Sequence, residues 1–324
     1  MQNIVSKFEG LKVLVIGDVM IDAYLMGTVD RISPEAPVPV VAITHKDNRL
    51  GGAANVAMNL VALGAKPILC SVIGEDAEAK DLLGLLEKEH IGLSGIIQSK
   101  ERKTTTKTRV IAHHHQMLRI DQEITTPLSE YDTYLLSHRI INDLLPACDV
   151  VIFEDYDKGV ITPSLIEQIV AEANKLGKKV AVDPKKRNFL NYNGVDLFKP
   201  NLKELREGFK KDVDPADKAS FETAIKELMS NMNLKNIMVT LSERGVMISD
   251  GEQFDYIPAH IRKIADVSGA GDTVISVASL CLALGLSNKE IAGIANLAGG
   301  LVCEEIGVVP VKKELLQKEA NLLY

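Results

Sequence analysis

The stretch KVLVIGD, Lys12–Asp18, is a short apolar run closed by a glycine and an acid. A continuous apolar run bounded by a turn signal reads as a strand buried on both faces, as in parallel sheets. The same pattern recurs in KPILCSVIG (66–74), DVVIFED (149–155), KKVAVDP (178–184), VDLFKPN (195–201), NIMVTLS (236–242) and GVMISD (245–250). Helical spacing fills the gaps between these runs. GGAANVAMNLVALGA (51–65) carries Val56, Leu60 and Leu63 on one face and stops at Gly64. Further helices are predicted over about 76–90, 129–145 and 162–176, in the region up to about 232, and over about 270–284 and 288–304. Strands alternating with helices imply an α/β fold with a mostly parallel sheet covered on both faces.

Two stretches break the pattern. Tyr24–Thr44 holds three prolines among β-branched residues, so it predicts exposed strands and turns rather than a helix. TTTKTRVIAHHHQMLRID (104–121) alternates and reads as a strand pair. No interdomain linker or repeat is evident, so the 324 residues predict one α/β domain with a β insertion.

Composition narrows the function. A net charge of −7 argues against a general affinity for nucleic acid and suits a soluble enzyme. No apolar run reaches the roughly 20 residues that cross a bilayer. The start of the chain lacks a leader's apolar core and cleavage site, so the expected location is cytoplasmic. Cys70, Cys148, Cys281 and Cys303 are scattered in apolar contexts, which predicts buried free thiols.

In open α/β sheets ligands collect at the carboxyl ends of strands. Asp18 and Asp22, Glu154 and Asp155, Asp183, Asn201 and Ser242 all fall at such ends. So does DVSGAGDT (266–273), where Gly269, Ala270 and Gly271 precede Asp272 at the start of a predicted helix. Free amides and the positive end of a helix dipole bind phosphate there, and Asp272 could accept a hydroxyl proton beside it. Transfer of a phosphoryl group to an alcohol needs that combination. The plainer reading is an ordinary acidic residue in a first helical turn.

NLKE (201–204) suits water-mediated magnesium near a triphosphate, although Asn and Glu at this spacing also cap helices. His113–His115 invite a metal reading, but consecutive strand residues point to opposite faces, so a surface or lid strand is expected. Lys185–Arg187 follow a strand end and could bind an anion or simply face solvent. Neither GxxxxGK[ST] nor GxGxxG is present, which excludes the P-loop and dinucleotide fingerprints.

Taken in order, GGAANVAMNLVALGA, NLKE, VTLSERG (239–245) and DVSGAGDTVISVASLCLALG (266–285) resemble the ribokinase-like (PfkB) carbohydrate kinases over nearly the whole chain. GDVMIDAYLMGTVDRISPEAPVPVV (17–41), TTTKTRVIAHHHQMLRID and EDYDKGV (154–160) resemble, within that family, the heptose-phosphate kinases of lipopolysaccharide core synthesis. The resemblance implies a ribokinase-like fold over 1–324 with a β lid from about 22–46 and 104–121. It implies transfer from ATP to the 1-hydroxyl of D-glycero-β-D-manno-heptose 7-phosphate, with Mg²⁺ and a monovalent cation such as K⁺.

On this resemblance Asp272 is the catalytic base and Gly269, Ala270 and Gly271 the anion hole. Asp18, Asp22, Gly51, Gly52 and Asn55 would serve the sugar. Lys107, Arg109 and Lys158, with Lys185 and Arg187 behind them, would hold its phosphate. Asn201, Glu204, Ser242, Gly245 and Asn296 would line the ATP site, with Glu204 on magnesium through water and Asp266 in the monovalent-cation loop. A homodimer through the lid is implied, because the apolar strand residues Val38, Val40, Val41 and Ile43 would otherwise be exposed. The resemblance covers only a kinase half, so a separate nucleotidyltransferase is expected in the pathway. Two departures stand out: Asp157 occupies a position usually held by a small residue, and the three histidines replace a mixed polar stretch. The alternatives are a kinase for ribose, fructose or fructose 6-phosphate, and a non-catalytic nucleotide or sugar sensor.

Overall fold

In the computed structural model, which describes residues 3–113, 115–260 and 262–323, strand β1 (Lys12–Gly17) is buried beyond its first residue. Val13 and Val15 enter one core, whereas Leu14 and Ile16 enter another. That is the period of two expected of a strand covered on both sides.

After Asp18 the chain runs into β2 (Val19–Ile32) and returns as β3 (Pro39–Gly52), then enters α1 (Ala53–Ala62). β4 (Lys66–Gly74), α2 (Ala77–Lys88) and β5 (Gly92–Ser99) follow, and β6 (Thr105–Ala112) pairs with β7 (His115–Gln122). α3 (Glu130–Arg139), β8 (Val150–Glu154), α4 (Pro163–Lys175), β9 (Lys179–Asp183) and β10 (Leu197–Phe198) continue the alternation. Then come α5 (Leu202–Phe209), α6 (Lys218–Met232), β11 (Ile237–Thr240), β12 (Val246–Ser249) and β13 (Phe254–Ile257). α7 (Ala270–Ala283), α8 (Asn288–Val302) and α9 (Lys313–Leu323) complete the described chain.

Nine described strands form the main sheet in the order β13-β12-β11-β10-β9-β8-β1-β4-β5. It is parallel from β11 to β5, with β12 and β13 added antiparallel at one edge. α1, α7 and α8 cover one face, while α3, α4 and α6 contribute to the core on the other. The expected α/β class and mostly parallel sheet are therefore what the chain adopts.

A second sheet, in the order β3-β2-β6-β7, rises from the strand ends. Its base is buried, from Val19 to Ala23 and from Leu50 to Gly52. Its far part exposes Ile32, Val38, Ile43, Met117, Leu118 and Ile120.

Several local readings need correction. VDLFKPN keeps only Leu197–Phe198 as strand, since Pro200 has no N–H to give a ladder. The helix over 129–145 ends at Arg139 and passes through a π turn (Ile140–Leu144) into a 3-10 turn containing Pro146. A proline ring collides with the carbonyl four residues back and ends regular α-helix. β5 had no clear signal because GLSGIIQS mixes glycines and serines into its apolar residues, and β13 and α9 were also unforeseen. Cys70, Cys148 and Cys281 are buried free thiols, but Cys303 is only half-buried. His113 sits in the turn before β7 with φ 50°, and its Nε2 accepts from the Val29 N–H at 3.3 Å. His114 lies outside the described residues.

The junction of the two sheets is tight. Gly52 has φ 60°, and a Cβ there would lie 2.3 Å from the Asp18 carbonyl oxygen, which itself accepts from the Ala53 N–H at 3.0 Å. Beside this junction, buried Asp155 accepts from Tyr192 Oη at 2.8 Å, Asn188 Nδ2 at 3.1 Å and the Asp157 N–H at 2.8 Å. Burial, reinforced by the Asp18 charge, pushes its pKa up to about 6 against those three donors.

Gly52→Ala is expected to lower stability by about 1–3 kcal/mol through overpacking and forced backbone, read as a lower urea midpoint. Asp155 carries its proton in the folded chain and loses it in the unfolded chain between about pH 4 and its raised value near 6. Folding therefore binds a proton there, and stability falls as pH rises through that window, by ~2–3 kcal/mol from this group. Urea titrations from pH 4 to 7 on the native chain and Asp155→Asn check this. The difference in slope between the two should be negative and confined to that interval.

Candidate active site

α7 is buried on all sides from Asp272 to Leu282, so its N-terminus is delivered to the carboxyl ends of the parallel strands. Gly269 caps it in the left-handed conformation, φ 77°, which glycine adopts without penalty. In the first turn the Ala270 N–H donates to the Val267 carbonyl at 3.3 Å, whereas those of Gly271 and Asp272 are amides that a helix leaves without intrahelical partners. Ala270 and Gly271 line a cavity.

Asp272 is 7% exposed. Its Oδ2 accepts from Asn55 Nδ2 at 2.6 Å and its Oδ1 from Tyr156 Oη at 2.8 Å. Burial raises its pKa, while these donors and the nearby Lys199 and Lys185 pull it down. The result is a poorly solvated carboxylate with fixed orientation and raised basicity, which is what a general base requires. Asn55 Oδ1 is buried and has no partner among the described residues. It is an unpaired acceptor beside Asp272.

Next to it, Glu154 ends β8, Asp183 ends β9 and Lys199 follows β10. Lys199 Nζ bonds Asp183 Oδ2 at 2.7 Å, and both side chains are nearly inaccessible. Burial, with Asp183 and Asp272 close by, pushes Glu154 well above the usual carboxylate range. Burial, with Glu204 nearby, pushes Asp183 up to about 6 against the pull of Lys199. Lys185 pairs with Glu204 Oε1. Glu204 Oε2 accepts from the Asn201 N–H at 2.9 Å, and Asn201 Oδ1 accepts from the Glu204 N–H at 2.8 Å. Asn201 and Glu204 thus form a capping box on α5, the structural alternative weighed for NLKE.

Four carboxylates against two ammonium groups leave this pocket short of positive charge. Asp183 Oδ1 and Glu154 Oε2 have no partner among the described residues. Also among these residues, no three His, Cys, Asp or Glu side chains cluster closely enough to cage an ion. An unsatisfied carboxylate oxygen without a protein cage fits Mg²⁺, which keeps most of its waters and arrives with phosphates.

Beyond the Gly-Ala-Gly turn opens a cavity of about 420 Å³ whose lining includes Ser242, Gly245, Asn296, Ala270 and Gly271. Three of the expected nucleotide residues and two of the expected anion-hole residues thus share one wall. Asn201 and Glu204 lie outside that lining. Asn296 Nδ2 donates to the Pro258 carbonyl at 2.9 Å, tying α8 to the cavity rim. Asp266 accepts from the Ser268 N–H at 2.9 Å and the Gly307 N–H at 3.0 Å. Those bonds, the Ser268 amide first, hold it below the usual carboxylate range and fasten the two loops together.

Toward the second sheet, Asp18 is fully buried. It accepts the N–H groups of Tyr156 at 3.0 Å, Lys158 at 3.1 Å and Val160 at 3.0 Å. Gly51 and Gly52 end β3 opposite Met20 and Val19. Arg109 pairs with Asp22. Lys107 bonds Asp121 and Glu123, each at 3.1 Å, and Lys158 bonds Glu123 at 2.8 Å. Glu123 therefore draws Lys107 and Lys158 together. Lys185 belongs to the carboxylate pocket instead, and Arg187 donates to the Thr125 carbonyl at 2.5 Å.

Two groups in this constellation were not singled out from the sequence. Lys199 had a signal in KPN, a lysine closing a buried strand. Tyr156 had none beyond its place in EDYDKG.

A model of the pfkB family carbohydrate kinases matches residues 11–314. A protein named bifunctional protein HldE from Methylobacillus flagellatus is 41% identical over 95% of this chain and 62% of its own length. Its namesake from Desulfatibacillum aliphaticivorans is 42% identical over 97% of this chain and 64% of its own. The chain thus spans somewhat under two thirds of these relatives. Among solved structures, Escherichia coli phosphofructokinase-2 in complex with potassium superposes with TM-score 0.79 at 20% identity, covering 97% of this chain and 99% of that one. Arabidopsis thaliana ribokinase complexed with ribose and ATP superposes with TM-score 0.73 at 17% identity, covering 96% and 99%. With a family match over residues 11–314 and relatives about 40% identical over most of its length, the chain belongs to the pfkB family of carbohydrate kinases.

Proposed function

We propose that this chain phosphorylates the anomeric hydroxyl of D-glycero-β-D-manno-heptose 7-phosphate from ATP, giving the 1,7-bisphosphate. The observation that carries the kinase chemistry is Asp272, desolvated and held at the N-terminus of α7 beside the cavity mouth. Asp272 takes the proton of the sugar's 1-hydroxyl as that oxygen attacks the γ-phosphorus and the bond to the ADP oxygen breaks. The turn of Gly269, Ala270 and Gly271 receives the equatorial oxygens of the transferring group, where preorganised donors act most strongly. Ser242, Gly245 and Asn296 belong to the nucleotide pocket. When bound with the nucleotide, magnesium supplies charge neutralisation on the phosphates, and Glu204 and Asp183 are the groups to hold it through water. Asp266 shapes the loop for a monovalent cation such as K⁺.

Asn55, with its vacant Oδ1, takes a sugar hydroxyl, and Asp18 supports the sugar site through the loop it grips. Gly51 and Gly52 let β3 pass close beneath, and Asp22 orients Arg109. Lys107, Arg109 and Lys158 hold the sugar's own phosphate, exchanging for it their pairings with Asp121, Glu123 and Asp22. This basic group and RISPEAPVPV favour an already phosphorylated heptose over ribose or fructose. The second sheet acts as the lid, and its apolar face pairs with a second copy in a homodimer. No described helix is long and apolar enough to cross a membrane.

An ATP-consumption assay with Mg²⁺ tests the reading on heptose 7-phosphate, ribose, fructose and fructose 6-phosphate. The heptose phosphate should be preferred by at least about 10²-fold in kcat/KM, and Asp272→Asn should lose about 10²–10⁴-fold in kcat. Preference for an unphosphorylated sugar sinks the heptose assignment, and undiminished turnover by Asp272→Asn sinks the mechanism. Lys107→Ala should raise KM for a phosphorylated acceptor while leaving KM for ATP unchanged.

A further inference from the structure

The loop leaving β8 carries a tyrosine into the site, and its backbone is pinned at three points. Asp18, one residue past the adjacent strand β1, accepts the N–H groups of Tyr156, Lys158 and Val160. Asp155 accepts the Asp157 N–H, which allows Asp157 its left-handed φ of 57°. Arg102 donates to the Lys158 carbonyl at 2.5 Å and to the Thr126 carbonyl at 2.9 Å. The Lys185 ammonium lies 5.4 Å from the Tyr156 ring centroid. The phenol therefore has little freedom, and its hydroxyl ends 2.8 Å from Asp272 Oδ1.

We propose that Tyr156 is a positioning residue for the base. It fixes the rotation of the Asp272 carboxylate from one side while Asn55 fixes it from the other, so that a free lone pair stays aimed at the sugar hydroxyl. The proposal rests on the reading of Asp272 as the base. Two donors from different elements, one on each oxygen, remove the side chain's torsional freedom before substrate arrives. A phenol suits the task because burial keeps it protonated and donating far above neutral pH. Its role does not require it to exchange a proton with substrate.

The hydrogen bond also favours the charged carboxylate, so its loss should make Asp272 harder to ionise. The charged and titratable groups facing Asp272 are Glu154 at the end of β8, Asp183 and Lys185 at and after β9, and Lys199 after β10. Tyr156→Phe leaves all of them in place and preserves the ring over Lys185.

The test is the pH dependence of kcat for Tyr156→Phe, with MgATP and whichever acceptor is turned over fastest among heptose 7-phosphate, ribose and fructose 6-phosphate. The expected result is a loss of roughly tenfold in kcat, an acidic limb displaced upward by about one pH unit, and KM values within about twofold of the native chain. Intact KM values show that the variant is folded. A native kcat, or a lower one with an unmoved acidic limb, reduces Tyr156 to packing and overturns the proposal. Asp272→Asn separates the premises. If it retains turnover, the base assignment fails and the proposal with it. If it is inactive while Tyr156→Phe keeps the native profile, the base stands and only the tyrosine's role falls.

Discussion

The site depends on α7 being apolar all round. A helix of this kind has no solvated face to choose, so it can lie only in the middle of a core, here between the sheet, α1 and α8. Once it lies there, its first turn must emerge where the parallel strands end. Its hydroxyl residues are paired inside the core: Ser276 and Ser279 return their protons to carbonyls one turn back at 2.6 and 2.7 Å, and Thr273 donates to Asn59 Oδ1 at 3.0 Å. Asp272 is the exception, an acid in the first turn of a buried helix. Its burial is tolerable because two neutral donors and a positive helix end meet it.

Around that acid the electrostatics lean one way. Glu154, Asp183 and Asp272 are all harder to ionise than free carboxylates, and burial is the leading cause for each. The Lys199–Asp183 contact is the principal internal compensation. Buried charges of one sign cost stability, which a fold retains where a ligand of the opposite sign shares the load. The basic group beneath the second sheet has the reverse character. There three cations are each matched by a carboxylate, so an arriving anion must displace an existing partner rather than fill a bare pocket.

The main sheet was legible because its strands are buried on both faces and read as unbroken apolar runs. Lys12–Gly17 is the clearest case. β5 was not, because its glycines and serines dilute the signal, nor was the two-residue β10, whose pairing is decided by neighbours far away in sequence. In the site, Asp272 and the glycine turn before it could be read from local spacing, since a helix start is a local event. Asn201 and Glu204 were legible as a pair, but their spacing serves capping and metal binding equally. Tyr156 could not be found this way. Its hydroxyl meets Asp272 across 116 residues of sequence, and only the folding of the loop around Asp18 brings them together.

The two long strands of the second sheet start and finish at one spot, for Asp18 is the sole residue between β1 and β2, and β3 ends at Gly52 beside the Asp18 carbonyl. Fourteen residues of strand reach roughly 40 Å from there. The arrangement is a lever with a very short inner arm. A turn of about 10° at the base sweeps the tip through roughly 7 Å, yet shifts groups within about 4 Å of the pivot by under 1 Å. Any tilt of the second sheet about this junction would therefore be large at its exposed tip and small beside Asp18 and Gly52.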